Sequence, residues 1–205
     1  SALGIKKGGQ FWIAHGSSIQ ILSVNSSTLH VTKDRELPLA GGVTSDFSFD
    51  QKGKVCFGLV DALRCHKGRD SWHELASGGT LNSSTPLSMA LHTTGRMIVG
   101  LSNGRLISLD MHQDTPSHVA WDICGRDPCR ITKIQPIGRG LVVGTDSGLY
   151  FLESAGDVRL LKPDIHVTAI DVQESDIWIS TYSGVYAYGM SDFQTFNSAS
   201  HGIGN

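Results

Sequence analysis

One arrangement recurs along this chain: a polar or glycine-bearing turn leads into a short apolar run. The runs are Phe11-Trp12-Ile13-Ala14, Val55-Cys56-Phe57-Gly58, Met97-Ile98-Val99-Gly100, Leu141-Val142-Val143-Gly144 and Ile177-Trp178-Ile179-Ser180. Their first residues are 44, 42, 44 and 36 positions apart. A period of this length constrains the fold more than any single motif, because each copy must be one supersecondary unit that buries its apolar face against its neighbours. Each run is followed by a tight turn and a second run, clearest at Asn103-Gly104, Ser147-Gly148 and Ser183-Gly184. Glycine in such turns reads as a hairpin signal, since it adopts positive φ without a Cβ clash. Ahead of the hairpins stand alternating segments, Val43 to Phe49, Pro86 to Leu91, Ile131 to Ile137 and Val167 to Val172. Such alternation predicts strands with one buried face. A weaker fourth strand is expected at Ser27 to Val31, Ser71 to Leu75, Ser117 to Ile123, Val158 to Leu161 and Phe193 to Phe196.

Four consecutive antiparallel strands per unit of about forty residues is the pattern of a β-propeller blade. The expected fold is therefore all-β, a propeller of five four-stranded antiparallel blades, with five blades of a larger propeller as the alternative. The N-terminus fits the same frame: residues 1–14 align without a gap onto residues 167–180. One domain over 1–205 is expected, with blades at about 1–42, 43–84, 85–129, 130–165 and 166–205. Closure of the five-blade ring is favoured, because an open stack leaves two sheet faces in water. A β-sandwich would also give many short strands, but it has no reason to repeat one strand order five times.

Composition narrows function by exclusion. Lys+Arg number 17 against Asp+Glu 19, a net charge of -2, which argues against an electrostatic nucleic-acid binder. The longest apolar runs, such as Gly140 to Gly144, fall far short of the roughly 20 residues that span a bilayer. Glycine is enriched, 24 in 205 residues, yet scattered through the repeat and not gathered in a linker.

The fifth repeat, Asp176-Ile177-Trp178-Ile179-Ser180-Thr181 with its hairpin Gly184, Tyr186 and a tail to Gly202 and Asn205, resembles the repeat of regulator-type propellers in sensor proteins. The fourth, Val142-Val143-Gly144-Thr145 with Gly148 and Tyr150, matches the first half of that pattern, and the third is similar to WD-like blades. Ala14 and Ser180 replace the glycine that the pattern places after the apolar triplet. The resemblance implies a rigid disk that holds other molecules, not a particular activity.

Candidate chemistry is sparse. Cys56 and Cys65 sit symmetrically about the turn at Val60-Asp61, and Cys124 and Cys129 bracket Gly125 to Pro128. Either pair can close as a disulfide, or serve as small apolar core residues. Neither pair has metal-ligand spacing, and no cofactor or metal site is expected. No nucleophile elbow appears, and the inner-strand acids Asp46, Asp50 and Asp171 do not form the carboxylate pair that glycosidic chemistry needs. The expected function is thus non-catalytic: a protein–protein interaction scaffold or sensing domain whose loops are held on the faces of a rigid disk. A lectin-like glycan or small-molecule binder is the alternative, a glycosidase-type hydrolase the remoter one. The partner is expected to be another protein or a peptide, with no nucleic acid and no membrane insertion; a homodimer is also compatible.

Partner contact is expected on the face carrying the blade-to-blade connectors, with Arg35, Leu37, Arg126, Asp127 and Tyr182 as the binding residues, because arginine and tyrosine dominate interface energetics. With no initiator Met and no leader segment, the chain reads as an excised domain. A cytoplasmic setting is slightly favoured, an extracellular one if the cysteines are paired.

Overall fold

A computed structural model describes residues 2–6, 10–15, 18–25, 27–39, 41–49, 54–66, 72–110, 118–125, 127–153, 156–173 and 176–189. Five antiparallel sheets follow one another along the chain. The first holds β1 (Ala2–Lys6), β2 (Gln10–His15), β3 (Ser18–Val24) and β4 (Val31–Pro38), and the second β5 (Ser48–Phe49), β6 (Val55–Gly58), β7 (Ala62–His66) and β8 (Trp72–Ser77). A four-residue helical turn, α1 (Gly78–Leu81), leads into the third sheet, β9 (Pro86–Leu91), β10 (Arg96–Leu101), β11 (Arg105–Asp110) and β12 (His118–Asp122). The fourth holds β13 (Ile131–Ile137), β14 (Gly140–Thr145), β15 (Gly148–Leu152) and β16 (Val158–Pro163), and the fifth β17 (Val167–Gln173), β18 (Asp176–Thr181) and β19 (Gly184–Gly189). Strand order within each sheet is chain order, and the inner strands of the second to fifth sheets lie side by side in succession. The molecule is a five-bladed β-propeller. The expected fourth strand of the last blade, Phe193 to Phe196, lies outside the described residues.

Hairpin chemistry repeats with the blades. In the fourth blade the Thr145 hydroxyl accepts from the N–H groups of Ser147 and Gly148 at 3.1 and 2.8 Å and donates to the Gly148 carbonyl at 2.9 Å. Thr181 does the same in the fifth, accepting from Ser183 N–H and donating to Gly184 O. A buried hydroxyl thus satisfies turn groups that the ladder leaves unpaired.

The glycines that end the second strands act through space and not through φ. A Cβ on Gly58 would sit 2.7 Å from Pro86 Cβ, on Gly100 2.4 Å from Ile131 Cγ2, and on Gly144 2.4 Å from Val167 Cγ1. Each of these neighbours opens the inner strand of the next blade, so the missing Cβ is what lets successive sheets close on one another. Threonine hydroxyls reinforce two of the seams: Thr44 donates to Pro86 O and Thr132 to Val167 O, both at 2.7 Å. In the fifth blade the equivalent Thr168 donates to Ser180 Oγ instead, at 3.1 Å.

Two expectations need correction. The outer strand of the first blade is not Ser27 to Val31 but β4, because Asn25 Oδ1 accepts the N–H groups of Ser27 and Thr28 and Leu29 turns at φ 55, so the chain turns ahead of Val31. The inner strand of the second blade shrinks to Ser48–Phe49, because the Ser45 hydroxyl takes the Gly58 N–H at 2.7 Å and interrupts the ladder. Leu3 in the first blade and Val185 in the fifth are 55% and 43% exposed.

The core lies between the sheets. Its largest cluster spans the first three blades, with Trp12 edge-on to Phe47 and Phe49, and two smaller clusters join the third to the fourth and the fourth to the fifth.

Candidate functional site

Along one face of the disk, hydrogen bonds link the β6–β7, β10–β11 and β14–β15 turns to blade-to-blade connectors. Thr85 Oγ1 donates to Val60 O at 2.9 Å, and Thr85 and Ser102 exchange backbone and hydroxyl bonds at 2.9 and 3.0 Å. Further round, Ile123 N–H donates to Gly104 O at 3.1 Å. Asp146 then ties the β14–β15 turn to Arg130: its carboxylate accepts the Arg130 N–H at 2.9 Å, and its own N–H donates to Arg130 O at 3.1 Å. Asp164 N–H reaches Ser147 O at 2.9 Å, and two residues later the His166 ring lies against Tyr182, centroids 4.4 Å apart. These contacts form a belt from the second blade to the fifth. Loops held this way need little ordering when something binds.

The Cys124–Cys129 disulfide staples the connector within this belt, with Cα atoms 6.1 Å apart. Asp127 stands exposed inside the stapled loop. Beside it, burial holds the Tyr150 phenol above its ordinary pKa, and the Asp127 carboxylate pushes in the same direction by disfavouring a second negative charge. A hydrogen bond with Ser147 acts against both.

No family model matches the chain, and no curated protein matches it. Solved structures do. The extracellular domain of BT4673, a putative one-component system of B. thetaiotaomicron, superposes with a TM-score of 0.73 at 12% identity, over 91% of this chain and 26% of that one. A catalytically inactive virginiamycin B lyase from Staphylococcus aureus, bound to quinupristin, gives 0.71 at 12% identity, over 88% of this chain and 62% of that one. BamB from Moraxella catarrhalis gives 0.62 at 13%, over 91% and 57%. The chain therefore spans less than two thirds of these structures. At such identities the likeness is one of fold. A lyase and the extracellular domain of a putative one-component system share it alike.

The expected binding residues are scattered over this fold. Asp127 and Tyr182 both lie on the belt, and Tyr182 is 79% exposed at the β18–β19 turn. Arg126 lies outside the described residues. Arg35 and Leu37, expected on the connector face, lie instead within strand β4. Arg35 is exposed mid-strand at the rim of the first blade, paired with Ile21 and apart from the belt. Leu37 is 0% exposed and belongs to the core, so it cannot touch a partner: β4 turns it inward beside Ile19. Both cysteine pairs are disulfides. Cys56 and Cys65 are direct cross-strand partners with Cα atoms 4.0 Å apart, as the symmetry about Val60-Asp61 predicts. Sequence reasoning missed His166, Arg130 and Asp146. A signal existed for Asp146, the position after Thr145 in the turn repeat, but nothing in one sequence pairs His166 with Tyr182.

Proposed function

We propose that this propeller is a non-catalytic binding domain that presents its connector face to another protein or peptide. The observation that supports this most is Tyr182: a large ring, mostly in solvent, yet held in place against His166 on a hydrogen-bonded belt. Burying an aromatic side chain that is already ordered gains contact area at a small entropic cost. Asp127, on its stapled loop, adds a fixed charge to the same face. The test is affinity capture from extracts of the source cells with wild type, Tyr182→Ala and Asp127→Lys. A stoichiometric partner held by wild type and released by either variant agrees with this reading; a partner held equally by all three refutes the choice of face.

We further propose an oxidising compartment, since both cysteine pairs are bonded and such bonds persist outside the cytosol. Thiol titration of the denatured, unreduced protein should find no reactive thiol. Four reactive thiols in protein purified without reductant from its native source would contradict it.

A further inference from the structure

The wedges between sheets are filled unequally. Between the first and second blades it is packed by rings, Trp12 at 6.2 and 6.3 Å from Phe47 and Phe49 and at 5.6 Å from His66. Between the third and fourth blades the facing side chains are smaller, Ile98 and Ser108 on one sheet and Leu141 and Leu152 on the other. A cavity of about 420 Å³ remains there, within the roughly 300–1,000 Å³ usual for small-molecule sites. It opens on the face opposite the belt, because His92, Arg139 and Glu153 at its mouth belong to the β9–β10, β13–β14 and β15–β16 turns.

Its polar groups are set in place. Arg96 donates through Nε to the Ser108 hydroxyl at 2.6 Å and through Nη2 to Ser108 O at 2.9 Å, which fixes the guanidinium over the apolar floor. Across the wedge, no carboxylate among the described residues pairs with Arg139. His92 Nδ1 lies 2.9 Å from the Thr94 hydroxyl and accepts the Thr94 N–H at 3.3 Å, which holds the ring at the mouth. Trp121 forms a side wall, packed so closely on the next blade that a Cβ on Gly156 would lie 3.3 Å from its Nε1. Two guanidinium groups, a flat aromatic wall and an aliphatic floor describe a complement to one kind of ligand.

We propose that this wedge binds a small monocarboxylate with an aromatic or branched apolar body. The carboxylate is held by Arg139 at the mouth through a charge-assisted hydrogen bond, with Arg96 adding positive charge below it. The apolar body rests on Leu141 and Leu152 beside Trp121. Glu153 at the mouth repels a second negative charge, so a dicarboxylate is disfavoured. This site is independent of the connector face, and the two proposals fail separately.

Phenylacetate is a suitable probe, titrated into the whole chain by calorimetry and by tryptophan fluorescence, with its uncharged isostere phenylacetamide beside it. A ligand this small should bind with Kd on the order of 1 mM. Phenylacetamide, and phenylacetate with Arg139→Gln, should each bind about tenfold more weakly, the usual weight of one charged hydrogen bond. Val119→Trp, on an exposed position of the lining, should block the cavity, and Trp121→Phe should remove the fluorescence response. Absence of saturable binding by wild type overturns the proposal, as does equal affinity for acid and amide. Because the acid–amide comparison uses wild type, it decides the matter even where a variant does not fold.

Discussion

At the scale of single residues, hydroxyls and one carboxylate do more than the apolar residues around them to define the belt face. Thr145 is wholly buried and satisfies three turn groups by itself. Thr145→Val keeps the shape but strands two N–H donors, so it should cost about 1–3 kcal/mol, read as a Tm lower by about 2–4 °C per kcal/mol in a chain of this size. Thr145→Ser should retain most of the stability; a valine variant as stable as wild type would remove the turn from the account of the fold. Tyr150 offers a second test. Its pKa is raised above 10.0, first by burial and then by Asp127. A phenol raised on folding contributes stability that is present below its unfolded pKa and is lost as pH climbs through the folded one. Asp127→Asn should therefore lower the Tyr150 titration, followed as tyrosinate absorbance against a Tyr150→Phe blank, while leaving it above the ordinary value because burial remains. No movement on Asp127→Asn would mean that the stapled loop stands away from Tyr150. The repeat marked Thr145 and Tyr150 as recurring positions, but not what they touch, since hydrogen-bond partners across a turn depend on backbone geometry that one sequence does not carry.

Within and between elements, the decisive feature is the glycine after the apolar triplet. Its spacing was legible in the sequence as the end of a second strand. What it is for became visible only with the neighbouring blade in place: Gly144 faces Val167, and a Cβ there would lie 2.4 Å from a methyl of that side chain. Gly144→Ala should therefore destabilise by about 1–3 kcal/mol through overpacking. Adding Val167→Ala should recover part of the loss, giving a favourable coupling in a double-mutant cycle of urea unfolding. Strict additivity of the two changes would show that the seam tolerates the extra carbon by other means. Ser180 stands at the same place in the fifth blade, where Thr168 bonds to it. The misplacement of the first blade's outer strand has an equally local cause: Ser27 to Val31 looks strand-like, but Asn25 captures the N–H groups that would have entered a ladder.

For the whole molecule, the consequence is a disk of graded solidity. The central blades are packed on both sides, and β10 and β14 are buried along nearly their full length. Toward the ends of the chain burial falls, and Leu3 in the first blade and Val185 in the fifth remain in solvent. Amide hydrogen exchange should accordingly be slowest in β10, β11 and β14 and at least about tenfold faster in β18 and β19, following local burial. Uniform protection across all five blades would show that the first and fifth close on each other in solution. The sequence by itself determined the blade: period, strand order, hairpin positions and the cross-strand cysteine pair all follow from alternation and turn chemistry, which act over a few residues. Tertiary structure alone decided which residues meet at the surface. The belt joining Asp146, His166 and Tyr182, the inward turn of Leu37 and the unfilled wedge beside Trp121 each arise where residues distant in the chain meet, and contacts of that kind leave no local pattern to read.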